Sequence, residues 1–468
     1  MKGRTSISSG GRQKNYPRRP GAGSDDNLDV RPAARTTAAV AAAIFLLSTV
    51  ACTMGTPASV AASIKIGVDL PLTGAAGGAG IPTLNGVSFF VRHHPVLDGF
   101  NIVVDARNDA VGGAGDAELG TRNVQAFVSD SQVLAVIGPF NSPVARAEIT
   151  ATNPAHLALV SPATSNRCLT KEPFVPAALN PMRTAIPCKA AGLPSPKELR
   201  PGGANNFFRL STTDDLQGPA AADFAFGKLN LLRVAVLSDH EAYGQGLADG
   251  FTSRFKKLGG SVVAHLDFDP STNVDLTSFM RRAKADGATG VYFGGATSSK
   301  GCMVRSQMAL VFDTGKATPF LGGDGIAEDP ACVRDAGANA VGIYATVPAV
   351  DAAHILAAQP VISAFKTDYG RPEDYGAYTM SAYDATAIVY DALDRAIKAA
   401  GGKAPARDSV VAELAATTRF QGVTGTFGFD SAGDTTLRVV SIFEPAGADP
   451  RLSWNWVGAI DYTAALPY

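Results

Sequence analysis

Hydroxyl groups crowd two neighbouring turns of this chain. Residues 133–166 read VLAVIGPFNSPVARAEITATNPAHLALVSPATSN, with Ser142 in the first turn and Ser161, Thr164 and Ser165 at the second. Short hydroxyl side chains beside free backbone N–H groups suit a small anion, above all a carboxylate, because the anion's charge strengthens each bond. Turn chemistry and helix capping also favour serine and threonine at such places, with no ligand involved. Residues for covalent or metal chemistry are not assembled in the same way. There is no GxSxG, HExxH or P-loop, and the six histidines are scattered. Asp239, His240 and Glu241 adjoin, but consecutive side chains rarely converge, and His93-His94 read as part of a polar helix face. The chain reads as a binder and not as an enzyme, with no cofactor and no metal site.

The elements around these turns alternate. Val133–Gly138 reads as a strand, Pro139–Pro143 as a turn, Val144–Thr152 as a helix and Leu157–Ser161 as a second strand. In an open parallel sheet, ligands sit at the carboxyl ends of the strands, where both hydroxyl turns lie. The rhythm starts upstream with a strand at Ser63–Leu70, a Gly-rich turn, a helix over about Pro82–His93, a strand at Phe100–Asp105 and a helix at Ala117–Ser129. Residues 168–206 interrupt it with a Pro-, Gly- and Ala-rich surface insertion. It resumes after Phe207–Ser211, with strands at Arg233–Ser238, Ser261–Phe268, Gly290–Gly294, Pro319–Gly322 and Gly342–Thr346 between helices. The tail adds helices at about Ala353–Tyr369, Tyr378–Ala400 and Ser409–Thr417, and strands at Gly425–Phe429, Leu437–Glu444 and Leu452–Val457. The expected class is α/β, with two lobes of similar plan and parallel sheets flanked by helices.

Composition sets the outer limits. The chain has 468 residues, 46% of them hydrophobic and 18% charged, as in folded globular proteins. Residues 1–51 hold eight of the 41 basic residues and three of the 42 acidic ones, so the remainder is acidic by about six charges. That balance argues against a nucleic-acid partner. Residues 1–35 read as a disordered polar lead outside the fold, and residues 36–52 as a signal-peptide apolar run closing on Val50-Ala51-Cys52. That closing triplet resembles the lipobox of bacterial lipoproteins, in which the cysteine is acylated, although Thr49 replaces the usual aliphatic residue. Later cleavage near Ser59–Ala62, leaving a soluble exported protein, and a retained membrane anchor are the competing readings. For an exported chain the remaining cysteines, Cys168, Cys188, Cys302 and Cys332, suggest disulfides. Three pairings exist, and proximity favours Cys168–Cys188 and Cys302–Cys332. There is no CxxC to favour metal.

Several segments in collinear order resemble the branched-chain amino acid-binding proteins, the type I substrate-binding components of ABC transporters. They are IKIGVDLPLTGAAGGAG, AVIGPFNS, LVSPATSN, FRLSTTDDLQGPAAA, RVAVLSDHEAYGQGL, GVYFGGATSSKGCMVRSQ and PFLGGDGI, and they span about Ser63 to Glu444 around the insertion. The resemblance implies two Rossmann-like lobes joined by a three-strand hinge, the type I periplasmic-binding-protein fold. Lobe I is expected on residues 63–211 plus 347–435, and lobe II on 212–346 plus 436–468. The resemblance also implies a clamp. The ligand carboxylate would meet Ser142, a backbone contact at Ala163, and the hydroxyl of Ser165 or, one residue earlier, Thr164. The ammonium would meet Asp324 on lobe II, with Tyr243 facing the ligand. Ala79 and Ala296 stand where the family often has aromatic walls, which widens the expected pocket. The implied partners are an amino acid or similar small polar solute, an ABC permease with its ATPase and, through acylated Cys52, the outer face of the cytoplasmic membrane. The chain is expected to be a monomer, either anchored there or free in the periplasm. A ligand-sensing receptor module of the same fold is the alternative.

Overall fold

Aliphatic residues alternate along the first strand, β1 (Ser63–Leu70), and only its first and third positions are less than fully buried. A strand covered on both faces belongs inside a parallel sheet. The computed structural model describes residues 62–177, 184–272, 275–451 and 454–464, all within one compact unit. The polar lead, the apolar run and Cys52 lie outside the described residues.

After β1 come α1 (Gly77–His93), β2 (Val96–Leu97), β3 (Phe100–Asn108) and a small hairpin of β4 (Ala110–Val111) and β5 (Ala114–Gly115). Next are α2 (Ala117–Ser129), β6 (Val133–Ile137), α3 (Ser142–Thr152), β7 (Ala158–Ser161) and β8 (Phe207–Arg209). Six of these strands form one sheet in the order β2-β3-β1-β6-β7-β8, parallel except for β2.

The chain then crosses to a second layer. Here α4 (Asp214–Gly227), β9 (Arg233–Ser238), α5 (Ala242–Lys257), β10 (Ser261–Asp267) and α6 (Thr277–Ala285) are followed by β11 (Gly290–Gly294) and α7 (Gly301–Phe312). The layer continues with β12 (Phe320–Gly322), α8 (Pro330–Ala336) and β13 (Ile343–Val347). It returns to the first layer for α9 (Gln359–Asp368), α10 (Thr379–Ala399), α11 (Arg407–Ala415) and the hairpin of β14 (Phe420–Gln421) and β15 (Thr426–Phe427). The last strands, β16 (Val439–Pro445) and β17 (Trp454–Asp461), add antiparallel to the second sheet. Its order is β10-β9-β11-β12-β13-β16-β17. The fold is therefore two α/β lobes joined by three crossing strands. The antiparallel β16–β17 edge departs from a purely parallel expectation.

The crossings bind one another. Thr212 N–H donates to Pro348 O at 2.7 Å, and Thr212 Oγ1 donates to Val439 O at 3.0 Å, so all three strands are tied at one level. Fully buried Arg209 donates through Nε to Asp434 at 2.7 Å, and Lys171 pairs with the same carboxylate at 2.9 Å. Arg209 Nη1 also donates to the carbonyls of Asn166, at 2.7 Å, and Thr164, at 3.3 Å. The hinge thus holds the second hydroxyl turn from behind.

Both disulfides favoured by proximity are present, Cys168–Cys188 and Cys302–Cys332. The first staples the insertion, which reaches the second lobe. Arg167, at its root, pairs with Asp215 at 2.6 Å, and the Phe174 ring lies 3.0 Å from where a Gly246 side chain would start.

Some boundaries differ from the sequence expectation. α1 begins at Gly77, inside the stretch read as a turn. There the missing side chain of Gly80 lets the helix press against the Pro71 carbonyl, 1.9 Å from where a Cβ would stand. The helix expected at 353–369 is two short 3₁₀ turns and then α9, with Pro360 in its first turn. The short helix α8 escaped notice, its Asp329 cap and Pro start having no periodic run behind them. Among the described residues, no helix is long and apolar enough to cross a membrane.

Candidate functional site

The carboxyl end of β12 opens into Gly323 and Asp324, and three donors converge on that carboxylate. Tyr243 Oη, in the first turn of α5, donates to Oδ1 at 2.6 Å. Gln217 Nε2, on α4, donates to the same oxygen at 2.9 Å and to Thr346 O at 2.9 Å. Tyr378 Oη, just before α10, donates to Oδ2 at 2.9 Å. Tyr378 comes from the first lobe's helical layer, so Asp324 is a polar bridge between the lobes. Gly323 permits the convergence, since a Cβ there would stand 2.7 Å from the Tyr243 hydroxyl and 2.6 Å from Leu247. Burial and the adjacent Asp324 push both phenols well above their ordinary range, so they act as donors.

The first lobe supplies the hydroxyls. Ser142 stands half-buried at the start of α3 and accepts a bond from Asn166 N–H at 3.2 Å, which links the two turns. Ser165 is buried beside Asp214, whose N–H donates to Ser165 O at 3.0 Å. Burial pushes Asp214 up to about 7, Ser165 beside it pulls it down, and Asp324 nearby adds to the rise. Ala163 is buried and packs with Phe140 and Tyr378 in the core that continues into the second lobe.

Thr164 is placed differently. Its hydroxyl donates to Ser161 Oγ at 2.8 Å, and its N–H reaches the same atom at 3.0 Å. Ser161 in turn donates to Pro139 O at 2.7 Å, so it organises both turns from inside. Of the two threonine-position candidates, Ser165 is therefore the one directed toward the lobe boundary. Ala296 lies against Gly325, 2.9 Å from where that residue's Cβ would be, and so borders Asp324. Ala79 is exposed on the first turn of α1, and no contact gathers it with the others.

Sequence reasoning passed over Gln217, Asp214 and Tyr378. Asp214 and Gln217 are three residues apart at the start of α4 and share a face, and both lie within a stretch already read as leading into the second lobe. That spacing was an available signal. Tyr378 had none, because its role depends on a contact between the residue before α10 and the turn after β12.

A second acidic group lies in the first lobe. Asp69 at the end of β1, Asp109 after β3 and Glu148 on α3 are fully buried, with carboxylate oxygens within 4.8 Å of one another. Asn123 donates to Asp69 at 2.8 Å, but no donor reaches Asp109 or Glu148. Burial pushes Asp69 and Asp109 up to about 7 and Glu148 well above the carboxylate range. These acids are far apart in sequence, which is why spacing named no such cluster.

Comparison with known proteins bears on both lobes. The family model described as periplasmic binding protein matches residues 63–447. The Leu/Ile/Val-binding protein homolog 2 of Brucella abortus is 28% identical over 388 residues, covering 82% of this chain and 90% of its own. The leucine-binding protein of Thermotoga maritima superposes with a TM-score of 0.65 at 22% identity, covering 85% of this chain and 98% of that one. A solute-binding protein of an ABC transporter from Rhodopseudomonas palustris, solved with 3,4-dihydroxybenzoic acid, superposes at 0.61 with 21% identity over 85% and 97% of the two chains. At such identities the two structures are shared folds.

Proposed function

This chain belongs to the periplasmic binding protein family, and from that premise we propose that it captures an amino acid between its lobes and delivers it to an ABC importer. The observation that carries the reading is Asp324, a carboxylate at a strand end that is held by neutral donors from both lobes. A ligand ammonium would replace one of those donors and gain a charge-assisted bond. Opposite it, Ser142 and Ser165 would take the ligand carboxylate, with the Ala163 backbone beside them. Lobe I is assigned residues 63–211 plus 347–435, and lobe II residues 212–346 plus 436–468. A ligand that touches both favours the closed arrangement and shifts the hinge equilibrium toward it.

Ala296 and Gly325 border Asp324 with little side-chain bulk. The relatives named above take leucine or an aromatic acid, and an amino acid of either bulk fits the argument, because both termini are read by the same clamp. Delivery would occur at the outer face of the cytoplasmic membrane, with Cys52 as the anchor.

Titration calorimetry with leucine, phenylalanine, glutamine and 3,4-dihydroxybenzoate tests the assignment. An amino acid should bind, and Ser142→Ala or Asp324→Ala should each weaken it by about tenfold or more. If 3,4-dihydroxybenzoate binds while no amino acid does, the ammonium role of Asp324 is wrong. Unchanged affinity in both variants would remove the clamp.

A further inference from the structure

A groove of about 420 Å³ lies to one side of the hinge, and none of the clamp residues lines it. Its inner wall carries Glu328 from the loop after β12, Asp351 from the second crossing and Tyr375 from the loop before α10. Trp454 and Trp456 of β17, with Phe443 of β16, form the apolar floor. The two lobes meet here as well, because Ala377, next to Tyr378, lines the groove together with Glu328.

The polar groups of the groove are unequally satisfied. Asp351 is engaged by His354 at 2.9 Å and by the Ala353 N–H at 2.9 Å. Arg371, at the exposed rim, is committed to Asp374 at 2.7 Å. Lys366 is an exposed rim residue on α9. By contrast, Glu328 Oε2 is a buried atom without a hydrogen-bond partner. Burial, with Asp351 beside it, pushes that carboxyl up to about 8. A buried carboxyl oxygen without a partner, in a groove lined by aromatic rings, is the chemistry that receives an organic cation: the arriving charge holds the acid ionised and the rings cover the body. The His354 ring stacks on Trp456 at 4.2 Å, so one face of this indole already holds a flat nitrogen ring.

We propose that the groove is a second ligand site, for a small organic amine whose ammonium pairs with Glu328 while Trp454, Trp456 and Tyr375 enclose its apolar part. It is distinct from the cleft that holds Asp324, and a cavity of this size accommodates a drug-sized or smaller molecule.

Phenethylammonium serves as the probe, with phenylacetate as its anionic counterpart, in calorimetry on the full chain. The cation should bind saturably. Glu328→Gln and Trp456→Leu should each weaken it by about tenfold or more, while Asp324→Ala leaves it unchanged. Two variants on different elements keep the test sound if one fails to fold. Absence of saturable binding overturns the site, as does equal binding of phenylacetate. Loss of binding in Asp324→Ala with retention in Glu328→Gln and Trp456→Leu would move the amine to the main cleft and equally overturn it.

Discussion

Asp434 and Asp109 are both buried carboxylates of the first lobe, yet they stand in opposite states. Burial opposes ionisation at Asp434, but Arg209 and Lys171 outweigh it and hold the carboxyl well below its ordinary value. Among the described residues no side chain donates to Asp109; Asp69, Asp116 and Glu148 are its acidic neighbours, and burial lifts it to about 7. Asp324 differs from both in its partners, being met by neutral donors alone. A buried acid remains charged where a counter-ion reaches it and otherwise keeps its proton. The charged arrangement sits at the hinge, behind the hydroxyl turn. The cluster whose carboxyls burial raises includes Glu148 of α3, the helix that begins with Ser142.

The largest way to break the contrast is Arg209→Met. It strips Asp434 of its inner partner and frees the carbonyls of Thr164 and Asn166, and should cost about 3–5 kcal/mol in urea unfolding. A loss under about 1 kcal/mol would mean that the hinge ion pair is dispensable.

Acidity should then separate the two regions by sign. The folded values of Asp69 and Asp109 lie near 7, above the unfolded value of 3.8. Their contribution is therefore complete below the unfolded value and lost as pH rises through about 7. Asp214 and Glu328, pushed up to about 7 and about 8, add to the same trend. Asp434 runs the other way: its contribution is present above 3.8 and disappears as pH falls toward its depressed value. The melting temperature should rise by several degrees from about pH 8 to about pH 5.5 and fall again below about pH 4. A melting temperature that is flat between pH 8 and pH 5.5 would contradict the protonated cluster.

The double variant Asp109→Asn, Glu148→Gln sharpens this further. It should raise the melting temperature near pH 8 and change it little near pH 5, as expected when groups are replaced by isosteres that never ionise. The smallest effect is expected for Tyr378→Phe, which leaves Asp324 two of its three donors and should cost about 1 kcal/mol. A cost above about 3 kcal/mol would mean that the lobe bridge runs mainly through this hydroxyl.

Much of the scaffold could be read from local pattern. RVAVLS and GVYFG are continuous β-branched and aromatic runs, and their strands fall where those runs stand, at Arg233–Ser238 and Gly290–Gly294. The start of α1 was obscured because Gly77 and Gly80 suggest a turn when read alone. They act as close-packing residues only once the Pro71 backbone lies beside them. At the site, Asp324 is legible through the resemblance of PFLGGDGI to the family's turn. Tyr378, Asp69, Asp109 and Glu148 are not, because each gains its meaning from a residue distant in sequence. Thr164 and Ser165 are both hydroxyls in one turn, and only the bonds to Ser161 and Asp214 tell them apart.

The pairing of Arg209 with Asp434 spans 225 residues. During synthesis the guanidinium leaves the ribosome long before its counter-ion does. Until then the second hydroxyl turn is backed by a cation with no anion to meet it, and α10, which packs on α1, is made only after the whole stretch from α4 to β13. The N-terminal lobe is thus the first to be started and among the last to be completed. Nascent chains that stop short of Asp434 will be sensitive to protease throughout this lobe, whereas the stretch from α4 to β13, contiguous in sequence, can condense ahead of it.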